Sequence, residues 1–149
     1  MLTPDFEHMW QRLLPDFTPD AIREFNGYPE VVLAWAAYLG AAVAWIWDSD
    51  WAAGKEQPYA WFCGPRGFDY MDEHITEDIL GYKLGSTEAE TLAAFFRTKA
   101  TEAYGLLRHS GVEPGTAEAY NAVMETLYAM YTLGASHILA KLGYKWTQA

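Results

Sequence analysis

The longest charge-free stretch of the chain runs from Val31 to Trp47, opened by Pro29 and Glu30 and closed by Asp48. Its apolar residues occupy every side of a helical projection, so it predicts a helix that other elements must surround. Ala34, Ala37, Ala41 and Ala44 repeat at 3-4-3 spacing. Such a stripe of small side chains lets a second helix approach toward the short end of the ~8–10 Å interaxial range. Val32, Trp35, Leu39 and Ile46 form another stripe, with Trp35, Tyr38 and Trp45 filling the space between. The pattern predicts one close neighbour and one held off by rings.

The same stretch must be weighed as a membrane span, for which ~17 apolar residues is the lower edge. Its strongly apolar members are Val31, Val32, Leu33, Leu39, Val43 and Ile46. At ~0.3–0.6 kcal/mol each they contribute roughly 2–4 kcal/mol toward insertion. The flanks are acidic, with Glu30, Asp48 and Asp50, and carry no Lys/Arg cluster to set an orientation. A buried helix is the preferred reading, and no membrane partner is expected.

Elsewhere the pattern breaks into helices punctuated by Pro and Gly. Thr3-Pro4-Asp5 and Thr18-Pro19-Asp20 repeat one start signal: a Thr N-cap, Pro at the first helical position, and Asp in the positive first turn. They predict a helix from Pro4 to about Leu14 and a short one from Pro19 to about Phe25. Between Ser49 and Gly67, Gly54, Pro58, Gly64, Pro65 and Gly67 predict an irregular loop pinned by aromatics. A helix is expected from about Phe68 to Gly81. The next starts at Ser86-Thr87, with Thr87 and Glu90 in capping-box spacing, and ends at Arg108-His109. Its inner stripe is Ala89, Leu92, Phe96, Ala100, Ala103 and Leu107. The last begins at Gly115-Thr116, with Tyr120, Val123, Leu127, Tyr131, Gly134, Ile138 and Leu142 facing inward. Tyr144-Lys145-Trp146 is expected to fold back. The fold class is all-α, an irregular bundle of about six helices around the central one, in one domain of 149 residues.

Charge and cysteine content narrow the partners. Twenty acids against ten bases give a net charge of −10, which argues against nucleic acid, whose phosphates need a basic surface. A basic protein is the better electrostatic match, although the charge also serves solubility alone. Cys63 is the single cysteine, and no basic-then-apolar leader pattern opens the chain. Both fit a reducing, cytoplasmic setting.

Candidate chemistry is sparse. Asp69, Glu73 and Glu77 lie at i, i+4 and i+8, where like charges on one helix face repel by a few tenths of a kcal/mol per pair. A divalent cation would resolve that repulsion, and so would Arg66. A solvated acidic face is the plainer account. Trp47-Asp48-Ser49-Asp50-Trp51 sets two acids at the negative end of a helix. A cation or basic side chain docked against the rings would explain it, but so would Asp48 or Asp50 capping the following turn. Cys63 beside Arg66 is read as a buried, inert thiol. There is no nucleophile elbow, phosphate-cradling glycine loop or paired Glu-x-x-His motif, so no catalytic residue is assigned. Seven Trp, ten Tyr and seven Phe suit a bulky core, a homodimer face or an aromatic pocket.

The segments Gly27-Tyr28-Pro29-Glu30, Ala34-Trp35-Ala36, Tyr38-Leu39-Gly40 and Trp47-Asp48-Ser49-Asp50-Trp51 form one set of motifs. Gly67-Phe68-Asp69-Tyr70-Met71-Asp72-Glu73 and Leu142-Gly143-Tyr144-Lys145 complete it. Together they resemble an uncharacterised group of small bacterial all-helical proteins, over most of the chain. The resemblance implies a shared helical fold and transfers no catalytic residue. The sequence therefore favours a non-enzymatic, self-associating binding protein, one version being an immunity-type inhibitor of a basic partner. The binding candidates are Trp47, Asp48, Asp50, Trp51, Trp61 and Arg66. The alternatives are a metal-dependent enzyme or sensor using the acidic segment from Asp69 to Asp78, with Asp69, Glu73 and Glu77 as ligands, and a small-molecule binder with a tryptophan-lined pocket.

Overall fold

The first helix already departs from expectation. The computed structural model describes residues 4–144, and in it α1 runs unbroken over Pro4–Phe25, with Pro15 and Pro19 inside it. A proline in a helix interior costs ~3 kcal/mol or more by removing a hydrogen bond and crowding the preceding turn. Two features reduce that cost here. Gln11, Pro15 and Pro19 are all exposed and lie four residues apart, so the carbonyls that lose a donor, those of Gln11 and Pro15, face water. On the opposite side Phe6, Met9, Trp10, Leu13, Phe17 and Ala21 form one continuous buried stripe. Breaking the helix would expose Phe17 and Ala21, and burying a side chain such as Phe17 is worth ~1.5–3 kcal/mol. Thr18 is not an N-cap; its hydroxyl donates back to the Leu14 carbonyl at 2.7 Å. Thr3 lies outside the described residues.

The charge-free run forms the core of α2, Pro29–Gly54, which bends at Asp50 (φ −161°, ψ 76°). From Val32 to Ile46 every residue is buried except the half-buried Trp35 and Trp45. The helix is long and apolar enough to cross a membrane by length and composition, and 72% of its most apolar window is buried inside the protein.

Its neighbours are of the two expected kinds. The close one is α6, Ala117–Lys141, which makes the widest contact with α2. A Cβ added to Gly40 would lie 1.9 Å from the Tyr131 carbonyl oxygen, and one added to Gly134 would lie 1.9 Å from that of Ala37. The two backbones thus touch through reciprocal glycines, set within the alanine stripe. The spaced neighbour is α5, Thr87–Arg108, held off by Tyr38 packed edge-on against Phe96 at 4.9 Å. Ser86, rather than Thr87, caps α5, accepting the Ala89 N–H at 3.2 Å. Thr116 caps α6 in the same way at 3.0 Å.

Trp10 belongs to the core, its ring tilted against Tyr131 at 4.7 Å and edge-on to Phe17 at 6.0 Å. The Tyr131 hydroxyl donates to the Phe6 carbonyl at 2.8 Å, joining α6 to the start of α1. Where a loop was expected, a short helix α3, Tyr59–Cys63, forms. The helix expected over residues 68–81 is irregular: a 3₁₀ turn, Phe68–Tyr70, one α-turn labelled α4, Met71–Glu73, and a π-helical stretch, His74–Ile79. The buried residues explain the winding. Met71, Ile75 and Leu80 face the core, and their spacing of four then five fits a turn closed by the Leu80 N–H on the Ile75 carbonyl at 2.8 Å. No strand occurs among the described residues, and the bundle is all-α. Lys145 and Trp146 lie outside the described residues.

Candidate functional site

At the end of α2 the tryptophan–aspartate segment is occupied by the protein itself. The Trp47 ring packs between Phe6 at 5.5 Å and Tyr144 at 5.4 Å, and its indole N–H donates to Asp5 Oδ2 at 3.1 Å. Asp48 accepts the Tyr144 hydroxyl, which pushes that phenol up from its ordinary pKa. Asp50 accepts the Ala53 N–H at 3.3 Å and caps the turn after the bend. Trp51 packs half-buried against the core. Capping and internal contacts therefore account for this segment, as the capping alternative has it, without a cation docked against the rings.

The acidic segment is divided between solvent and one ion pair. Glu73 pairs with Arg66 at 3.3 Å, and the Arg66 guanidinium lies 4.4 Å from the centre of the Tyr70 ring. Asp69 and Glu77 are exposed. No group of three His, Cys, Asp or Glu side chains among the described residues is placed to hold a metal ion. The alternative with Asp69, Glu73 and Glu77 as metal ligands gains no support from this arrangement. Arg66 relieves the repulsion instead.

Other contacts here tie the chain together. His74 bridges the Asp78 carboxylate through Nδ1 at 2.8 Å and the Trp61 carbonyl through Nε2 at 3.0 Å. Its ring fills the place where a side chain at Gly64 (φ +84°) would sit. The Trp61 ring is half-exposed and stacked edge-on to Phe62 at 5.0 Å. Burial pushes the Asp72 carboxyl up, partly offset by backbone hydrogen bonds. Cys63 is buried beside Tyr59, and burial pushes its thiol up to about 11.

The feature that sequence reasoning missed lies at the other end of the molecule. The last turns of α1 and α5 and the first turns of α6 enclose an open cleft of about 700 Å³. Its apolar wall is built by Ile22, Phe25, Tyr104, Leu107, Tyr120 and Val123. Phe25 and Tyr104 brace each other edge-on at 6.3 Å. Asn26, Arg108, Ser110 and Thr116 supply polar groups. The cleft exists because the inner stripes outrun their cover. Leu92, Phe96 and Ala100 of α5 are buried, but Ala103 and Leu107 are only partly so. On α6 Leu127 and Tyr131 are buried, while Tyr120, expected inside, is 47% exposed. Gly111 and Gly115, both at positive φ, turn the connection between α5 and α6. No tryptophan lines the cleft, so its aromatic wall differs from the tryptophan-lined pocket expected.

No family model matches the chain, and comparison with curated proteins and with solved structures found no similar protein.

Proposed function

We propose that the protein is a non-enzymatic binding protein whose ligand occupies the cleft between the ends of α1, α5 and α6. The observation that carries this reading is the cleft itself. At about 700 Å³, with a mainly apolar wall and a few polar groups, it falls within the ~300–1,000 Å³ typical of small-molecule sites. The metal-dependent alternative loses support because its three carboxylates stand apart, two in solvent and one on Arg66. The test is titration with the neutral, apolar fluorescent probe N-phenylnaphthylamine. The wild type is expected to enhance its emission saturably. Val123→Trp, which places an indole in the cleft, is expected to abolish that response, and Leu84→Trp, at an exposed position elsewhere, to keep it. No enhancement by the wild type, or equal enhancement by Val123→Trp, would remove the reading.

Self-association is a second reading, supported by the exposure of Ile22 (43%), Leu106 (76%) and Tyr120 (47%). All three sit near helix ends, Ile22 and Tyr120 in the cleft wall and Leu106 in the last turn of α5. Light scattering in solution should give twice the monomer mass for the wild type and the monomer mass for Leu106→Glu. A wild-type monomer would count against it.

A further inference from the structure

We infer that the cleft's ligand is a single-chain organic carboxylate, with its tail against Ile22, Phe25, Leu107 and Val123 and its carboxylate on Arg108. The inference rests on the cleft being a ligand site and adds the chemistry of the ligand. Its basis is a contrast of charge. The chain carries twenty acids and ten bases, yet Arg108 is the one charged residue among those lining the cleft. Glu102, Glu113 and Glu118, close in sequence on either side, are absent from its wall. An anion is therefore repelled by most of this surface and accepted at the cleft, whereas a cation meets the reverse.

Arg108 is also left free to serve a ligand. It makes no ion pair with a carboxylate among the described residues, and its guanidinium rests 5.5 Å from the centre of the Tyr104 ring. An arginine in the last turn of a helix commonly serves the terminal carbonyls. Here two of those carbonyls, at Gly105 and Leu107, have other donors. Ser110 Oγ donates to the Leu107 carbonyl at 2.7 Å, and the His109 N–H donates to that of Gly105 at 3.2 Å. Thr116 and Ala119, at the start of α6, line the same rim. A guanidinium matches a carboxylate through paired N–H donors. The apolar wall supplies burial for an alkyl chain.

The experiment compares decanoate, decanol and decylamine, each as monomer, by displacement of N-phenylnaphthylamine from the wild type. Decanoate is expected to bind about tenfold more tightly than decanol, the factor that one charge-assisted hydrogen bond supplies, and decylamine more weakly than either. Arg108→Gln should bring the ratio of decanoate to decanol close to one, and Arg108→Lys should retain part of the preference. Equal binding of decanoate and decanol by the wild type, or an undiminished preference in Arg108→Gln, overturns the carboxylate assignment while leaving the apolar site standing. Failure of the probe and of all three compounds to bind overturns the site itself. Sedimentation with phosphatidylglycerol vesicles, in the absence of decanoate binding, would assign the Arg108 rim to a membrane lipid and also overturn the proposal.

Discussion

His137 places an imidazole nitrogen, Nε2, out of reach of solvent and of any hydrogen-bond partner among the described residues. Its ring stacks on Phe95 at 4.3 Å and meets the edge of Phe96 at 6.0 Å. Burial lowers its pKa, and the nearby Lys141 lowers it further. Lys99, 5.7 Å from the centre of the Phe95 ring, adds no favourable charge. The sign follows from linkage. The unfolded imidazole, with a pKa of ~6.5, takes up its proton before the folded one. The neutral form's advantage is complete above that value and is lost as pH falls through it toward the lower folded pKa. His137→Phe keeps the stack and removes the unmet nitrogen, whose burial costs ~1–3 kcal/mol. Urea melts should therefore show the variant more stable than wild type by about 1 kcal/mol at neutral pH, with a gap that widens below about pH 6.5. A gap that narrows on acidification would contradict this placement of the ring. Cys63 makes a simpler prediction. A thiol raised to about 11 stays protonated at neutral pH, and thiolate is the reactive form. Ellman's reagent should label it only after unfolding. Rapid labelling of the native protein would show the thiol to be open to solvent.

At the scale of the helix, the sequence disclosed what depends on composition and hid what depends on geometry. The charge-free run from Val31 to Trp47 read as a surrounded helix, and its small residues announced a close neighbour. The point of closest contact was less visible, because Gly40 reads by itself as a weak helix former. It also could not be paired with Gly134 before the two helices were in register. The two prolines of α1 misled because local rules count the lost hydrogen bonds but not the buried stripe running past them. The π-helical stretch escaped because the acids in and before it, Asp69, Glu73 and Glu77, keep a regular spacing in sequence, while the core positions Met71, Ile75 and Leu80 set the winding. The glycine contact can be tested by its sign. In an open helix Gly→Ala stabilises by ~0.5–1 kcal/mol. Gly105 in α5 has nothing within 4 Å of an added Cβ, and Gly105→Ala should follow that rule. Gly40→Ala and Gly134→Ala would each drive a methyl to 1.9 Å from a carbonyl oxygen, and overpacking of this kind costs ~1–3 kcal/mol or more. Chemical denaturation should move the midpoint up for Gly105→Ala and down for the other two. A gain at Gly40 would mean that α2 and α6 do not meet there.

For the whole molecule, the cleft and the charge are properties of assembly that no local pattern carries. The cleft forms where Phe25, Leu107 and Tyr120, far apart in the chain, come to one end of the bundle. The sequence signal was present in the inner stripes of α5 and α6, but it becomes a cleft only once α1 is seen to stop short of covering them. The net charge of −10 was legible from the start, and the structure adds how little of it is neutralised locally. Among the described residues, the Lys and Arg side chains in ion pairs are Arg23, Arg66 and Lys99. Surface pairs of this sort contribute ~0–1 kcal/mol. Most carboxylates, including Glu7, Asp16, Asp69, Glu77, Glu88 and Glu125, are exposed and feel one another through solvent. Such self-repulsion destabilises the compact state more than the expanded one. Raising ionic strength from about 0.01 M to about 0.15 M shortens the screening length from ~30 Å to ~8 Å, which spans the change from repulsion across the molecule to repulsion between neighbours alone. If screening recovers ~1 kcal/mol, the melting temperature of a chain this size rises by about 3 °C. The rise should be the same in potassium chloride and sodium chloride, because it depends on ionic strength and not on a bound ion. A fall in melting temperature with salt would mean that attractive pairs outweigh repulsion on this surface. A rise only with divalent salts would point instead to cation binding by the carboxylates.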